Sequence, residues 1–120
     1  MTTDGSLPMT ARAFRKLALA QPQAVEGSHM GHADFRVGGK VFASLGPDED
    51  WGMVKLAPDD QADLVGDEKG PYRPASGAWG VNGCTIITLR RASEPKVRRA
   101  IAAAWRNVAP KRLVKQIDGE

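Results

Sequence analysis

Two histidines and a carboxylate stand close together in the first third of the chain. His29 and His32 are three residues apart and precede Asp34, and these side-chain types can bind first-row transition metals. In an extended segment, however, residues three apart face opposite ways, and a metal needs further ligands from elsewhere. The pattern favours structural hydrogen bonding, or contact with a ligand or nucleic acid through a ring that changes charge near neutral pH. We therefore assign no metal site, no cofactor and no catalytic residue.

A second group of residues could line a ligand pocket. Trp51 and Trp79 each adjoin a glycine, and an indole in such a place can either seal the edge of the core or stack on a flat ligand. Together with His29, His32 and Lys55 they define an alternative hypothesis, a small-molecule-binding module or an enzyme with a pocket built from these five side chains.

Charge is unevenly distributed along the chain. The formal net charge is +3, but residues 47–70 carry eight acidic against two basic side chains, and residues 84–117 carry nine basic against one acidic. Basic side chains can engage phosphates and release counterions, or they can be solvated or neutralised by the acidic segment. The candidate nucleic-acid-binding residues are Arg36, Lys40, Arg99, Arg106, Lys111 and Arg112.

The length of 120 residues fits one domain with a single two-layer core. We expect a flexible segment at residues 1–9, the domain at residues 10–113 and a tail at residues 114–120. No apolar stretch approaches the ~20 residues that cross a bilayer, and the first residues lack the apolar core of a signal peptide. We expect a soluble cytoplasmic protein that does not bind membranes. Cys84 is the single cysteine, so it forms no intramolecular disulfide and we interpret it as a small buried residue.

Apolar periodicity predicts the first half of the fold. A helix over residues 10–20 begins at the N-cap Thr10. Residues 35–37 and 40–45 form a hairpin about Gly38 and Gly39, a pair that lacks the flanking residues of a phosphate-binding loop. In the second hairpin strand, strict alternation places Val41 with Ala43 and Leu45 on one face, opposite Lys40, Phe42 and Ser44. A third strand covers residues 51–56.

The second half is predicted in the same way. A short helix begins at Pro58 and ends at Gly66. Residues 71–80 form a loop with a short strand, and residues 84–89 form a buried central strand. The last helix begins after Ser93 and ends at Pro110, and a basic tail follows it. Its buried stripe consists of Val97, Ile101, Ala104, Trp105 and Val108, nearly opposite Arg99 and Arg106.

These elements follow the order α-β-β-β-α-β-β-α. Strands joined by tight turns indicate an antiparallel sheet. We therefore expect a two-layer α+β fold, with a sheet of about five strands and helices on one face.

Several segments together resemble the MmcQ/YjbR-like family of small bacterial proteins. They are residues 13–19, 26–43, 51–56, 77–80 and 104–113, and the resemblance covers about residues 10–113. It implies a two-layer α+β fold likened to the CyaY and secretion-chaperone type. It also implies the double-wing arrangement for which such proteins are often named DNA-binding.

Residues and resemblance together lead to a non-catalytic domain that binds DNA, as a monomer or a homodimer. Two other hypotheses stay open: the small-molecule module described above, and a protein-interaction or chaperone-like domain, which would expose a contiguous apolar patch.

Overall fold

The computed structural model describes residues 8–66 and 70–119. Most of the segment predicted to be flexible, residues 1–7, lies outside the described residues, as do the charged residues 67–69. Met9 is buried, and its N–H donates to the carbonyl of Ala92 at 3.2 Å.

The described chain forms six strands and five α-helices. The strands are β1 (Val25–His29), β2 (His32–Val37), β3 (Lys40–Leu45), β4 (Trp51–Lys55), β5 (Tyr72–Pro74) and β6 (Cys84–Thr88). The helices are α1 (Ala11–Leu19), α2 (Pro58–Val65), α3 (Gly77–Val81), α4 (Glu94–Val108) and α5 (Lys111–Ile117), with a 3₁₀ turn at Leu89–Arg91 before α4.

All six strands belong to one antiparallel sheet in the order β1-β2-β3-β4-β6-β5. The predicted α+β class and the antiparallel sheet are confirmed. The sheet has one strand more than the expected five, because residues 25–29 pair with residues 32–36 of β2. The turn between them places Met30 at φ 55° and Gly31 at φ 84°, the left-handed geometry that joins hairpin strands tightly.

The hairpin of β2 and β3 contains a β-bulge that the alternation pattern does not predict. Phe35 pairs with Ala43 and the next residue, Arg36, pairs with Val41, so Phe42 is the extra residue. Phe42 and Ala43 are both fully buried. The expectation that Phe42 shares a face with Ser44 is therefore wrong, and Val41 takes that place instead.

One face of the sheet, here called the inner face, packs against helices α1 and α4. A single row across the sheet, Phe35, Ala43, Val54 and Thr85, has no exposed surface on this side. The buried residues of α4 are Val97, Ala100, Ile101, Ala104 and Trp105, which confirms its predicted stripe apart from the half-buried Val108. The Nε1 of Trp105 donates to the carbonyl oxygen of Pro22 at 2.9 Å, so the core also fixes the chain that follows α1.

Helix α1 reaches the sheet where β4 has no side chain. Its predicted cap is confirmed, since Oγ1 of Thr10 accepts from the N–H of Ala13 at 3.0 Å. The fully buried ring of Phe14 lies against Gly52, where a Cβ would come within 2.7 Å of Cε2 of the ring. Glycine at this position is thus a packing requirement.

Two segments differ from the sequence predictions because short helices replace loop and tail. The loop of residues 71–80 holds only a three-residue strand, and α3 follows it. The predicted basic tail after Pro110 begins with α5, whose Leu113 is buried. An apolar contact with the core accounts for the order of that helix.

Gly52→Ala should lower the free energy of unfolding by about 1–3 kcal/mol, because the added methyl group overpacks the site against Phe14. Urea denaturation measures the change. Phe14→Leu removes the obstructing ring atoms, so the double variant should lose less than the sum of the two single losses. Strict additivity would contradict the packing contact.

Tyr72→Phe tests a buried hydroxyl. Burial raises the pKa of Tyr72, and among the described residues its Oη has no hydrogen-bond partner. Below about pH 10 the hydroxyl is protonated in both states, whereas above it the unfolded chain ionises first. Stability should therefore fall as pH rises beyond about 10.

The phenylalanine variant should be at least as stable as the wild type at neutral pH, because no hydrogen bond is lost. It should also lose less stability between about pH 9 and pH 11. Thermal denaturation across this range measures both effects. If the variant loses as much stability as the wild type over this pH range, the buried phenol is not the source of the pH dependence.

Candidate functional site

The outer face of the sheet, opposite α1 and the body of α4, carries a cavity of about 840 Å³. Its floor comes from strands β2, β3, β4 and β6, and its walls come from β1, α3 and the C-terminal end of α4. The lining residues are His29, His32, Asp34, Arg36, Lys40, Val41, Ser44, Met53, Lys55, Trp79, Cys84, Asn107 and Val108.

Strand alternation explains why these side chains share the cavity. His32, Asp34 and Arg36 are alternate residues of β2, and Met53 and Lys55 are alternate residues of β4. The register continues one row across the sheet, from Asp34 to Ser44, Met53 and Ile86. The sequence predicts that Asp34 and Arg36 face one side of the sheet and that Phe35 and Val37 face the other. The structure confirms this prediction.

An ion pair between a partly exposed arginine and a buried carboxylate forms part of the floor. Arg36 donates from Nε to Oδ1 of Asp34 at 2.8 Å and from Nη2 to Oδ2 at 2.9 Å. Asp34 is 3% exposed. These hydrogen bonds, together with the carboxylate charge, raise the pKa of Arg36 above its ordinary value. The guanidinium is thus held in one orientation and stays charged, with N–H groups left for a ligand.

Gly27 makes room for this pair. Its strand neighbour across the β1–β2 ladder is Asp34, and a Cβ on Gly27 would lie 2.9 Å from Oδ1 of Asp34 and 3.2 Å from Nε of Arg36. A larger residue would displace the ion pair.

Trp79 stands on the short helix α3 at one wall of the cavity and is 72% exposed. Its helix is nevertheless firmly attached. A Cβ on Gly80 would lie 2.0 Å from the carbonyl oxygen of Ala75, so the backbone packs closely there. The Nε2 of Gln61 lies within hydrogen-bond distance of the carbonyl oxygens of Gly80 at 3.1 Å and Cys84 at 3.3 Å.

The two histidines lie at the β1 end of the cavity. Their ring centroids are 6.5 Å apart and the rings are nearly perpendicular. Nδ1 of His32 is buried and has no hydrogen-bond partner in the described part of the chain. In residues 8–66 and 70–119, no three His, Cys, Asp or Glu side chains form a group that could hold a metal ion.

Cys84 closes the floor at the first residue of β6, opposite Lys55. The residue is 6% exposed. Burial raises the pKa of its thiol, while the charge of Lys55 acts in the other direction. The residue is buried as the sequence predicts, and the raised pKa keeps it in the less reactive thiol form.

The structure brings together four of the five proposed pocket residues: His29, His32, Lys55 and Trp79. Trp51 lies apart. Its indole packs beside Gly46, where a Cβ would come within 2.3 Å of Cε2 of the ring.

The six proposed nucleic-acid-binding residues separate into groups. Arg36 and Lys40 line the cavity. Lys111 and Arg112 are exposed on α5, directly after Pro110, which lies against the turn of the β2–β3 hairpin at Gly38.

The other two, Arg99 and Arg106, lie on α4 away from the cavity. Each has acidic side chains of the same chain near it. Arg106 donates from Nη1 to Oδ1 of Asp118 at 2.9 Å. Arg99 lines a separate groove of about 360 Å³ together with Asp60 and Asp63.

Two residues of the site escape prediction from the sequence. Asn107 donates from Nδ2 to the carbonyl oxygen of Lys55 at 3.1 Å, which ties the end of α4 to the cavity. Gln61 anchors α3 from α2. Both contacts join residues far apart in the chain, and no local pattern marks them.

In the described residues, no helix has both the length and the apolar character needed to cross a membrane. A search of curated proteins finds no match. A family model described as YjbR matches residues 19–107, well over half of the chain and the whole of the cavity floor. The chain therefore belongs to the YjbR family.

Proposed function

We propose that this protein is a non-catalytic DNA-binding domain that contacts phosphates with the outer side of its sheet. The observation that carries the proposal is that three cationic side chains line the cavity and two more are exposed on α5, which follows Pro110 beside the hairpin turn at Gly38. These five side chains are here called the basic rim. The basic rim consists of Arg36, Lys40, Lys55, Lys111 and Arg112.

Ion pairing within the chain distinguishes the basic rim from the arginines of α4. Among the described residues, no carboxylate forms a salt bridge with Lys40, Lys55, Lys111 or Arg112. Arg98 and Arg106, in contrast, pair with Glu94 and Asp118. Charges that are already paired attract a polyanion less, so Arg106 is not part of the basic rim. Arg99 is not part of it because it lies in the separate groove with Asp60 and Asp63.

Arg36 differs from the other members of the rim, because Asp34 neutralises its charge in part. Its contribution is directional: the carboxylate presents the remaining N–H groups of a planar donor to the cavity. The lysines and Arg112 supply unpaired charge. Contacts of this type hold the phosphate backbone and discriminate weakly among sequences.

A second function is favoured by a specific observation, the convergence of His29, His32, Lys55 and Trp79 on a concave site. A volume of about 840 Å³ lies in the range of roughly 300–1,000 Å³ that is typical of small-molecule pockets. In this alternative the ligand is a small anion with a flat ring, and binding ends at the cavity without using α5.

Duplex DNA should bind at low salt and dissociate steeply as salt rises, because each phosphate contact releases counterions. The double substitution Lys40→Glu and Lys55→Glu should weaken binding at least about tenfold. It should also reduce the log–log salt slope by up to about 1.8, at ~0.9 for each lost contact. Fluorescence anisotropy with a labelled duplex measures both.

The matched control is Arg12→Glu with Lys16→Glu. These two residues are exposed on α1, on the other side of the sheet, and the pair changes the net charge by the same amount. The control should bind nearly as the wild type does. Equal weakening by both pairs would contradict the basic rim, and a wild-type protein that binds no duplex at low salt would contradict the proposal as a whole.

A further inference from the structure

Trp79 is the feature that phosphate binding alone does not explain. A large apolar side chain that is 72% exposed gains little from the hydrophobic effect. Its helix is nevertheless held by the Gln61 amide and by the close backbone approach at Gly80. The result is an aromatic side chain on an anchored helix, open to solvent at the wall of a cationic cavity.

We infer that the cavity takes single-stranded DNA in preference to duplex, with an unpaired base stacked on the Trp79 indole and neighbouring phosphates on the basic rim. The inference rests on the proposed DNA-binding function and adds the form of nucleic acid that this site accepts. An aromatic platform beside a positively charged groove is the combination with which proteins bind single strands without strong sequence preference.

The dimensions of the site agree with this form of ligand. The floor runs from β2 to β6 across three strand spacings of about 4.8 Å each. It therefore extends about 14 Å in the direction perpendicular to the strands. In a duplex, the flat faces of the bases are stacked within the helix and cannot reach a side chain without being flipped out. An unpaired strand exposes those faces along its length, so stacking on Trp79 favours single-strand binding.

The direction of charge along the cavity supports the same arrangement. Trp79 and Lys55 lie at the β4–β6 side of the cavity, and Arg36 and Lys40 lie at the hairpin side. A strand that crosses the floor can therefore place a base against the indole and still hold phosphates at both sides. Ser44 on the floor and Asn107 on the α4 wall add polar groups to the same cavity, where they can form hydrogen bonds with base edges.

The test compares a labelled 20-nucleotide oligothymidylate with a 20-base-pair duplex at the same low salt, using the full chain. The wild type should bind the single strand more tightly, and its tryptophan fluorescence should be quenched on binding. Trp79→Ala should weaken single-strand binding about tenfold, in keeping with the loss of one stacked base, and should leave duplex binding nearly unchanged. Trp79→Phe should restore part of the affinity.

Val81→Ala is the matched control. Val81 is an exposed apolar residue of the same helix, 83% exposed, and is not among the residues that line the cavity. This variant should bind both nucleic acids as the wild type does. Because both side chains are largely exposed, neither substitution removes core packing, and circular dichroism should show unchanged folding for each.

The outcomes separate the inference from the proposed function. Equal binding of single strand and duplex, with no effect of Trp79→Ala on either, overturns the inference, and the response to Lys40→Glu with Lys55→Glu still decides the proposed function. Failure of both nucleic acids to bind overturns both. Thymidine monophosphate bound as tightly as the oligonucleotide, with the same dependence on Trp79, also overturns the inference and favours the small-molecule alternative.

Discussion

The cavity on the outer face depends on the β-bulge in β3. With strict alternation, Phe42 would lie on the same side as Ser44, and the register would place its ring between Arg36 and Lys55. The extra residue turns Phe42 into the core beside Ala43, and Val41 and Ser44 take the outer positions. One inserted residue thus increases the apolar content of the inner face and opens the outer face to polar side chains.

The same division governs the charges. On the helical side of the sheet, three arginines pair with carboxylates of the same chain: Arg15 pairs with Glu26 at 3.2 Å, and α4 carries the Arg98–Glu94 and Arg106–Asp118 pairs. Exposed pairs of this kind add little stability, but they reduce the attraction of that surface for polyanions. The outer face has one internal carboxylate, Asp34, among the residues that line its cavity. The net charge of +3 therefore does not describe the cavity, where Arg36, Lys40 and Lys55 face a single lining carboxylate.

The sequence predicts the parts of the fold that depend on local patterns. The hairpin turn at Gly38 and Gly39, with φ values of 59° and 82°, and the buried stripe of α4 follow from residue preference and periodicity. Strand β1 is harder to assign as a paired strand, because Met30 is an unusual residue for positive φ. The pairing of Arg106 with Asp118 is invisible for another reason: it requires α5 to bring the two side chains together.

The candidate site is predictable to a similar degree. Alternation places His32, Asp34 and Arg36 on one face, and the sequence singles out Lys55 and Trp79 by type. It does not separate Trp79 from Trp51, since each adjoins glycine. Only the fold shows that Gly46 receives the Trp51 ring, whereas Trp79 is 72% exposed among the residues that the structure describes.

The three tryptophans show how environment determines what an indole can do. Trp105 is 2% exposed and its N–H donates to the Pro22 carbonyl, so this indole stabilises the core. Trp51, the first residue of β4, is half-buried and packs against Gly46. Trp79 has the same ring on a helix anchored by Gln61, but its face is open. Anchoring fixes the backbone that carries the ring, so folding already sets the place at which a ligand meets the indole. That preorganisation, rather than the presence of an aromatic residue, is what makes this position suited to stacking.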